Sequence, residues 1–332
     1  MTAVSIQQKP DYSSINCLKV LGAFFVVCIH TVNNLALTPF IRTAVPIFFM
    51  ISGYFLYNEK KEVVAAKCQK AIKKIFWITF YSNLFYYLVV FFNTDPFPIQ
   101  TFKRLLRFLL IGDTLGFHLW YLNAYLECLI IFYFFILANK IKYFLWFIPI
   151  FIIWGLATGS YQFIFSFLPN NLFLSRNVFT MGIPCVGIGF LLHKYKDRII
   201  SCFRQPLILL FVLAVLIECE VWGLNILNPN PQYPGDFYFF TYPFAVIMLI
   251  TAIKYPLWGK NTLMEKIGFR YSLYIYIFHL FLLNFILDIF PGNSIPIFIL
   301  PFLIFFFALF FSIIWEKASF YFFPNKLNRK TT

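Results

Sequence analysis

Two ionisable side chains lie in the first long apolar segment of the chain, KVLGAFFVVCIH, which begins at Lys19 and ends at His30. A histidine exchanges a proton near neutral pH, so an imidazole here is a candidate general base. At about 100° per residue the two side chains fall on one helix face, ~16 Å apart along the axis. Ionisable groups are costly in lipid, so we expect both to face the protein interior or a water-filled cavity. A histidine bonded to a neighbouring helix and a lysine reaching the membrane surface would explain the pair without chemistry.

Two more segments place basic residues beside apolar runs. RFLLIGDTLGFH repeats the same spacing from Arg107 to His118, although two glycines argue against one straight helix and favour an amphipathic or re-entrant piece. RTAVPIFFMISGYFLY begins at Arg42 and contains the pair Ser52 and Gly53. Such small residues let a backbone or a ligand approach closely, and plain helix packing would use them in the same way.

A fourth segment, RYSLYIYIFHLFLL, has its polar residues on one face. Ser272, Tyr276 and His279 stand at i, i+4 and i+7, so they form one polar stripe on an apolar helix. The stripe could line a substrate site or form a hydrogen-bonded seam between helices.

The elements that must position these residues are membrane helices. The 332 residues are 61% hydrophobic and 12% charged, too few charges for a soluble domain of this length. Apolar runs recur throughout, and we predict an all-α, polytopic transmembrane bundle of about ten spans. The predicted spans are 15–37, 42–57, 75–92, 118–138, 142–158, 178–193, 207–224, 237–253, 270–289 and 296–316.

The distribution of basic residues predicts the orientation. With both termini in the cytoplasm, 20 of the 27 Lys and Arg residues fall in inner segments and 5 in outer ones, as the positive-inside rule requires. This accounts for most of the net charge of +14 without a nucleic-acid partner. We therefore expect a cytoplasmic segment 1–14, a membrane domain 15–316 and a basic cytoplasmic tail 317–332.

One inner segment has a basic face. In KCQKAIKK, Lys67, Lys70 and Lys74 stand at i, i+3 and i+7, where they could capture phosphates or contact anionic lipid headgroups. The seven cysteines are scattered without metal-ligand spacing, so we expect packing roles and no metal site. The acidic residues inside predicted spans are Glu127, Glu218 and Glu220. The last two could bind an acceptor sugar or pair with Arg107, and we expect a structural pairing because a buried charge usually has a partner.

Together the four segments resemble the acyltransferase-3 family of membrane O-acyltransferases. The matching pieces are LKVLGAFFVVCIHT, RTAVPIFFMISGYFL, RFLLIGDTLGFHLWYL and RYSLYIYIFH, in that order. Two positions depart from the family pattern, because Lys19 stands where Arg is commoner and Asn16 where Asp is usual. Lysine keeps the charge of arginine and loses its bidentate geometry.

The resemblance implies transfer of an acetyl group from cytoplasmic acetyl-CoA to a hydroxyl of a bacterial envelope glycan or lipid-linked oligosaccharide, at the inner membrane. Acetyl-CoA would be a co-substrate, with no tightly bound cofactor. His30 is the expected base, with Lys19, His118 and Arg107 as its catalytic partners. Lys67, Lys70 and Lys74 are expected to hold the CoA phosphates. The expected substrate-binding residues are Arg42, Ser52, Gly53, Trp120, Ser272 and His279.

Three other functions fit a polytopic protein with these residues. A transporter could use the intramembrane His and Lys as a proton relay, but no inverted repeat is visible. A component of a polysaccharide flippase or polymerase is the second, although polymerases usually carry a large outer loop with several arginines. A sensing module with the same architecture is the third, and it would not need both histidine motifs.

Overall fold

The computed structural model describes residues 11–32, 36–93, 117–168, 172–229, 237–290 and 295–322. Every regular element in these parts is helical, which confirms the predicted all-α class. The α-helices, in chain order, are α1 (Ser13–Thr31), α2 (Thr38–Ile41), α3 (Ala44–Leu56), α4 (Lys61–Asn93), α5 (Trp120–Leu137), α6 (Ile141–Thr158), α7 (Leu172–Ser175), α8 (Ile183–Lys194), α9 (Lys196–Cys202), α10 (Pro206–Leu227), α11 (Thr241–Lys254), α12 (Leu263–Arg270), α13 (Ser272–Ile289) and α14 (Leu300–Phe322). A 3₁₀ turn, Phe117–Leu119, precedes α5, and a π-helical turn, Val178–Gly182, precedes α8.

A helix lies at each of the ten predicted span positions. Seven segments of the described chain are long and apolar enough to cross a bilayer: α1, Thr38–Leu56, α5, α6, α10, α13 and the Leu300–Lys317 part of α14. An eighth is added if Val178–Lys194 and α9, which meet at a bend of 86°, count as one span. The apolar α11 is shorter, and α4, which contains the predicted span 75–92, is not among the seven. The chain is thus a multi-pass membrane protein, while ten spans and cytoplasmic termini remain predictions.

The helices that carry the predicted site residues are the most enclosed. In α1 and in Thr38–Leu56, 67% of the span is buried inside the protein, against 17% in α10 and 22% in α6. Helix α1 packs against α3, α11, α12, α13 and α14, so it lies at the centre of the bundle. Its apolar residues therefore face other helices, whereas those of α6 and α10 face the surroundings that lipid would fill.

Two glycines let α3 and α8 approach backbone to backbone. A Cβ on Gly53 would lie 2.0 Å from the carbonyl oxygen of Val186, and a Cβ on Gly189 would lie 1.9 Å from that of Met50. Both distances are far below van der Waals contact, so only glycine fits at either position. The Ser-Gly pair of the third segment is therefore explained by helix packing, as small residues at membrane helix interfaces usually are.

The start of α1 is tied to the region around α12. The Ser13 hydroxyl donates a hydrogen bond of 2.6 Å to Glu265, and Asp11 forms an ion pair of 2.9 Å with Lys260. The Ser13 hydroxyl lies equally close to Asp11, at 2.5 Å, so its one proton is shared between the two carboxylates. This hydrogen bond, and then the one from Lys260, lower the pKa of the Asp11 carboxyl to about 2. Deeper in, a Cβ on Gly268 would lie 1.8 Å from the carbonyl oxygen of Asn16, so α12 touches the α1 backbone directly.

The close contact between α3 and α8 predicts a sharp difference between two glycine substitutions. Gly189→Ala should destabilise the protein by roughly 1–3 kcal/mol, because the added methyl forces the two backbones apart. Gly223→Ala on α10 is the control, since no atom lies within 4 Å of a Cβ there. It should leave stability unchanged or raise it by up to about 1 kcal/mol, because alanine is the better helix former. Thermal unfolding of the two variants in detergent measures this, and equal melting temperatures would contradict the packing.

Candidate active site

Three of the four histidines of the chain come together near the end of α1. The ring centroid of His279, on α13, lies 5.2 Å from that of His30 and 4.9 Å from that of His118. His279 is thus the middle ring of the cluster. His118 is 3% exposed and His279 is completely buried, whereas His30 is only partly covered. Residues 249 positions apart in the chain therefore form one group, which we call the histidine cluster (His30, His118 and His279).

Backbone carbonyls of α13 hold two of these rings. Nε2 of His118 lies 3.1 Å from the carbonyl oxygen of Ile277, and Nδ1 of His279 lies 2.7 Å from that of Tyr276. A carbonyl only accepts, so each of these nitrogens carries the proton. In the neutral rings the lone pair is then on Nδ1 of His118 and on Nε2 of His279. Both of these atoms are buried without a hydrogen-bond partner among the described residues.

Two tyrosines complete the polar surroundings of the cluster. The Tyr276 hydroxyl donates to the carbonyl oxygen of His118, and the Tyr86 hydroxyl donates to that of Ile277 at 2.7 Å. The ring of Tyr86 also lies 5.0 Å from that of His118, centroid to centroid. The 3₁₀ turn is therefore bonded to α13 twice, through the side chain of His118 and through its backbone carbonyl.

Positive charge reaches the cluster from two arginines. Arg42, at the end of α2, and Arg176, just before the π-helical turn, both act electrostatically on His30. Both side chains are partly buried. Arg42 is thus near His30, while its role towards substrate stays a prediction. Arg107, the other predicted basic partner, lies outside the described residues.

A separate cavity of about 250 Å³, which we call the lysine cavity, opens beside the first half of α1. Its polar lining comprises Lys19, Ser52, Lys74, Tyr121, Tyr125, Ser272 and Tyr276. Nζ of Lys19 lies 3.1 Å from Oδ1 of Asn16 and 5.5 Å from the centre of the Phe55 ring. The two departures from the family pattern, Asn16 and Lys19, therefore contact each other.

Tyr121 and Tyr276 stand between the cavity and the histidine cluster. Both line the cavity, and their ring centroids are 5.4 Å apart. The ring of Tyr276 also lies 5.4 Å from that of His118. The polar stripe predicted on α13 therefore runs from the cavity, at Ser272, past Tyr276 to the cluster, at His279.

The three lysines of the predicted basic face have different surroundings. Lys67 donates to the carbonyl oxygens of Phe55 at 3.1 Å and Tyr57 at 2.8 Å, so it caps the end of α3. Lys70 is exposed, and Lys74 lines the mouth of the cavity close enough to Lys19 for their charges to interact. Of the three lysines predicted to form one basic face, Lys67 therefore caps α3 and Lys74 lines the cavity.

Of the remaining predicted residues, Ser52 and Ser272 line the cavity, whereas Trp120 and Gly53 are not part of its lining. Ser52 and Ser272 donate to the carbonyl oxygens of Phe48 and Gly268, each at 2.9 Å, and both line the cavity. Trp120 is partly buried at the first position of α5, two residues after His118. Gly53 is occupied by the contact with Val186 described above, and its role towards substrate stays a prediction.

Several residues around the site were not predicted from the sequence. Tyr86, Tyr121 and Arg176 belong to long aromatic or loop segments in which no spacing distinguishes them. One sequence feature could have pointed to Arg176, because it is one of only five basic residues that the predicted topology places on the outer side. A lone cation on the side that the positive-inside rule depletes is worth testing as a site residue.

Acidic and metal-binding groups are not part of this site in the described chain. Glu220 of α10 accepts hydrogen bonds from the backbone N–H groups of Phe239 and Phe240 and from the Tyr161 hydroxyl, which is the structural pairing expected of it. No group of three His, Cys, Asp or Glu side chains in the described ranges is arranged to hold a metal ion.

The helices and the buried cluster define a membrane-embedded protein with an enclosed polar site. The sequence matches the acyltransferase-3 family, described as an acyltransferase domain, over residues 12–316. The chain therefore belongs to this family, which confirms the resemblance and makes it a membrane acyltransferase.

Comparison with individual proteins adds less. An amino-acid racemase of Enterococcus faecalis is 32% identical over 130 residues, which cover 34% of this chain and 18% of that protein. Because the chain spans less than a fifth of that relative, the racemase name describes the relative alone. No solved structure matches the chain.

The contacts of Lys67 predict that it acts on stability. Lys67→Ala should lower the free energy of unfolding by about 1–2 kcal/mol, because two carbonyl groups at the end of α3 lose a charged donor. Lys70→Ala, one helical turn away and exposed, should leave the melting temperature unchanged. Thermal unfolding of both purified variants tests this, and a stable Lys67→Ala protein would show that the cap contributes nothing.

Proposed function

We propose that this chain is an O-acyltransferase that moves an acetyl group from cytoplasmic acetyl-CoA to a hydroxyl group of a bacterial envelope glycan or lipid-linked oligosaccharide, at the inner membrane. The observation that carries the proposal is that the two ends of α1 border two different polar regions. Its first half borders the lysine cavity and its last turn borders the histidine cluster, with Tyr276 in contact with both. A transferase that joins two substrates needs a place for each, and here the two regions meet at Tyr276.

The lysine cavity suits the donor. Lys74 at the mouth and Lys19 inside supply positive charge where the phosphates of CoA would lie. A volume of about 250 Å³ is below the ~300–1,000 Å³ of pockets that enclose whole ligands. The cavity therefore suits a narrow pantetheine arm, with the nucleotide left outside near the basic residues of α4. This entry lies on the side that the charge distribution predicts to be cytoplasmic.

The histidine cluster suits the chemistry. His30 takes the proton of the acceptor hydroxyl while its oxygen attacks the carbonyl carbon of the thioester. The C–O bond forms, the C–S bond breaks, and the proton passes from His30 to the departing thiolate, which leaves as free CoA. Arg42 and Arg176 face the oxyanion of the tetrahedral intermediate or an anionic group of the acceptor.

The proposal predicts the outcome of removing the base. Cells that express the chain should carry surface polysaccharide heavier by the mass of one acetyl group per modified repeat, measured by mass spectrometry. His30→Ala should abolish this gain, a loss of at least about 10²-fold, because no other group takes the proton at that position. Immunoblotting of the membrane fraction controls for protein amount. Full acetylation by the variant would exclude His30 as the base, and no acetylation by the unmodified chain would contradict the proposed reaction.

The position of Lys74 predicts a separate effect on donor binding. Lys74→Ala should raise KM for acetyl-CoA about 10- to 100-fold with kcat nearly unchanged, because one charge-assisted contact to phosphate is worth about 1.5–3 kcal/mol. Lys73→Ala is the matched control, since Lys73 is an exposed neighbour that does not line the cavity. Transfer of radiolabelled acetyl groups to the polysaccharide fraction gives both constants. Equal KM values for the two variants would place the donor elsewhere.

A further inference from the structure

The histidine cluster contains a buried acceptor that nothing in the described chain satisfies. Nδ1 of His279 donates to the Tyr276 carbonyl, so Nε2 of His279 carries the lone pair and can only accept. That atom is buried and has no hydrogen-bond partner among the described residues. An unsatisfied buried acceptor costs about 1–3 kcal/mol, so a site that keeps one has a donor for it at some stage of its work.

The donors around His279 are mostly used already. The Tyr276 hydroxyl donates to the carbonyl of His118, and the Tyr86 hydroxyl donates to that of Ile277. Nε2 of His118 is bonded to the same Ile277 carbonyl. Of the rings in contact with His279, His30 is the one whose nitrogens take part in none of these bonds.

The distance between the two rings suits a direct bond. Ring nitrogens lie about 1.2 Å from the ring centre, so an N–H···N bond of about 3 Å places two imidazole centroids at most roughly 5.4 Å apart. The observed separation of His30 and His279 is 5.2 Å, with the ring planes at 40°. This separation is within the range that an N–H group of His30 bonded to Nε2 of His279 requires.

We propose that His279 is a positioning residue for the base: its Nε2 accepts a hydrogen bond from one ring nitrogen of His30 and so directs the other nitrogen at the acceptor hydroxyl. The inference rests on the proposed function, in which His30 takes a proton. When it does so, His30 becomes a cation beside Arg42 and Arg176, and an acceptor on its far side stabilises that charge. Orientation of a base by a third group recurs in nucleophilic and acyl-transfer sites.

A pair of amide substitutions separates this role from a structural one. The side-chain amide of His279→Asn can replace Nδ1 and keep the bond to the Tyr276 carbonyl, but it leaves no acceptor at the Nε2 position. The longer amide of His279→Gln places an oxygen at the Nε2 position and loses the bond to Tyr276. A purely structural role therefore favours Asn, whereas the proposed role favours Gln.

The measurement is transfer of radiolabelled acetyl groups from acetyl-CoA to the envelope polysaccharide fraction of the expressing cells. We expect His279→Asn to lose about 10²-fold in kcat with KM for acetyl-CoA within twofold, as misplacement of a catalytic group does. His279→Gln should retain at least about ten times the kcat of the Asn variant, at a melting temperature no higher. Equal kcat values, or a more active Asn variant, would overturn the positioning role.

A second readout keeps this inference distinct from the reaction itself. In protein labelled with ¹⁵N-histidine, the signal of the unprotonated Nε2 of His279 should shift when His30 is replaced by Ala, since the bond is then lost. An unchanged signal overturns the pairing whatever the activity. A shifted signal in a chain that transfers no acetyl group would support the pairing and contradict the proposed function alone.

Discussion

Polar groups inside an apolar bundle must find their partners within the protein, and in this site the partners are the backbone carbonyls of α13. The carbonyl of Ile277 accepts from both Tyr86 and His118, and that of Tyr276 accepts from His279. Two chain segments far apart in sequence, α4 and the turn that carries His118, are therefore anchored to the same carbonyl, and the neighbouring carbonyl orients His279 of α13 itself. The second turn of α13 acts as the fixed reference against which the site is assembled.

The same constraint explains why α1 is central. It carries both Lys19 and His30, and neither could face lipid without a large cost. Surrounding α1 with other helices solves both problems, and it also places Lys19 at the cavity and His30 in the histidine cluster. The buried rings of Tyr121 and Tyr276 line the cavity, and Tyr276 also contacts His118 of the cluster.

The order of helices and the polar stripe of α13 could be predicted, because hydropathy and a 3.6-residue period act locally along the chain. Other features could not be predicted, since they depend on which distant helix a residue meets. One regular helix face is formed in the sequence by Lys67, Lys70 and Lys74. In the structure, Lys67 bonds to the end of α3, whereas Lys74 lines the cavity. Likewise, nothing local shows that Gly53 meets the carbonyl of Val186.

The contacts between the start of α1 and the region around α12 have a consequence for synthesis of the protein. Ser13 bonds to Glu265, a residue made 252 positions later, and Asn16 meets Gly268. Helix α1 is therefore made long before these partners exist. Until then its lysine and histidine lack their final surroundings. Assembly of the histidine cluster, which needs His279 of α13, is consequently a late event in the synthesis of this chain.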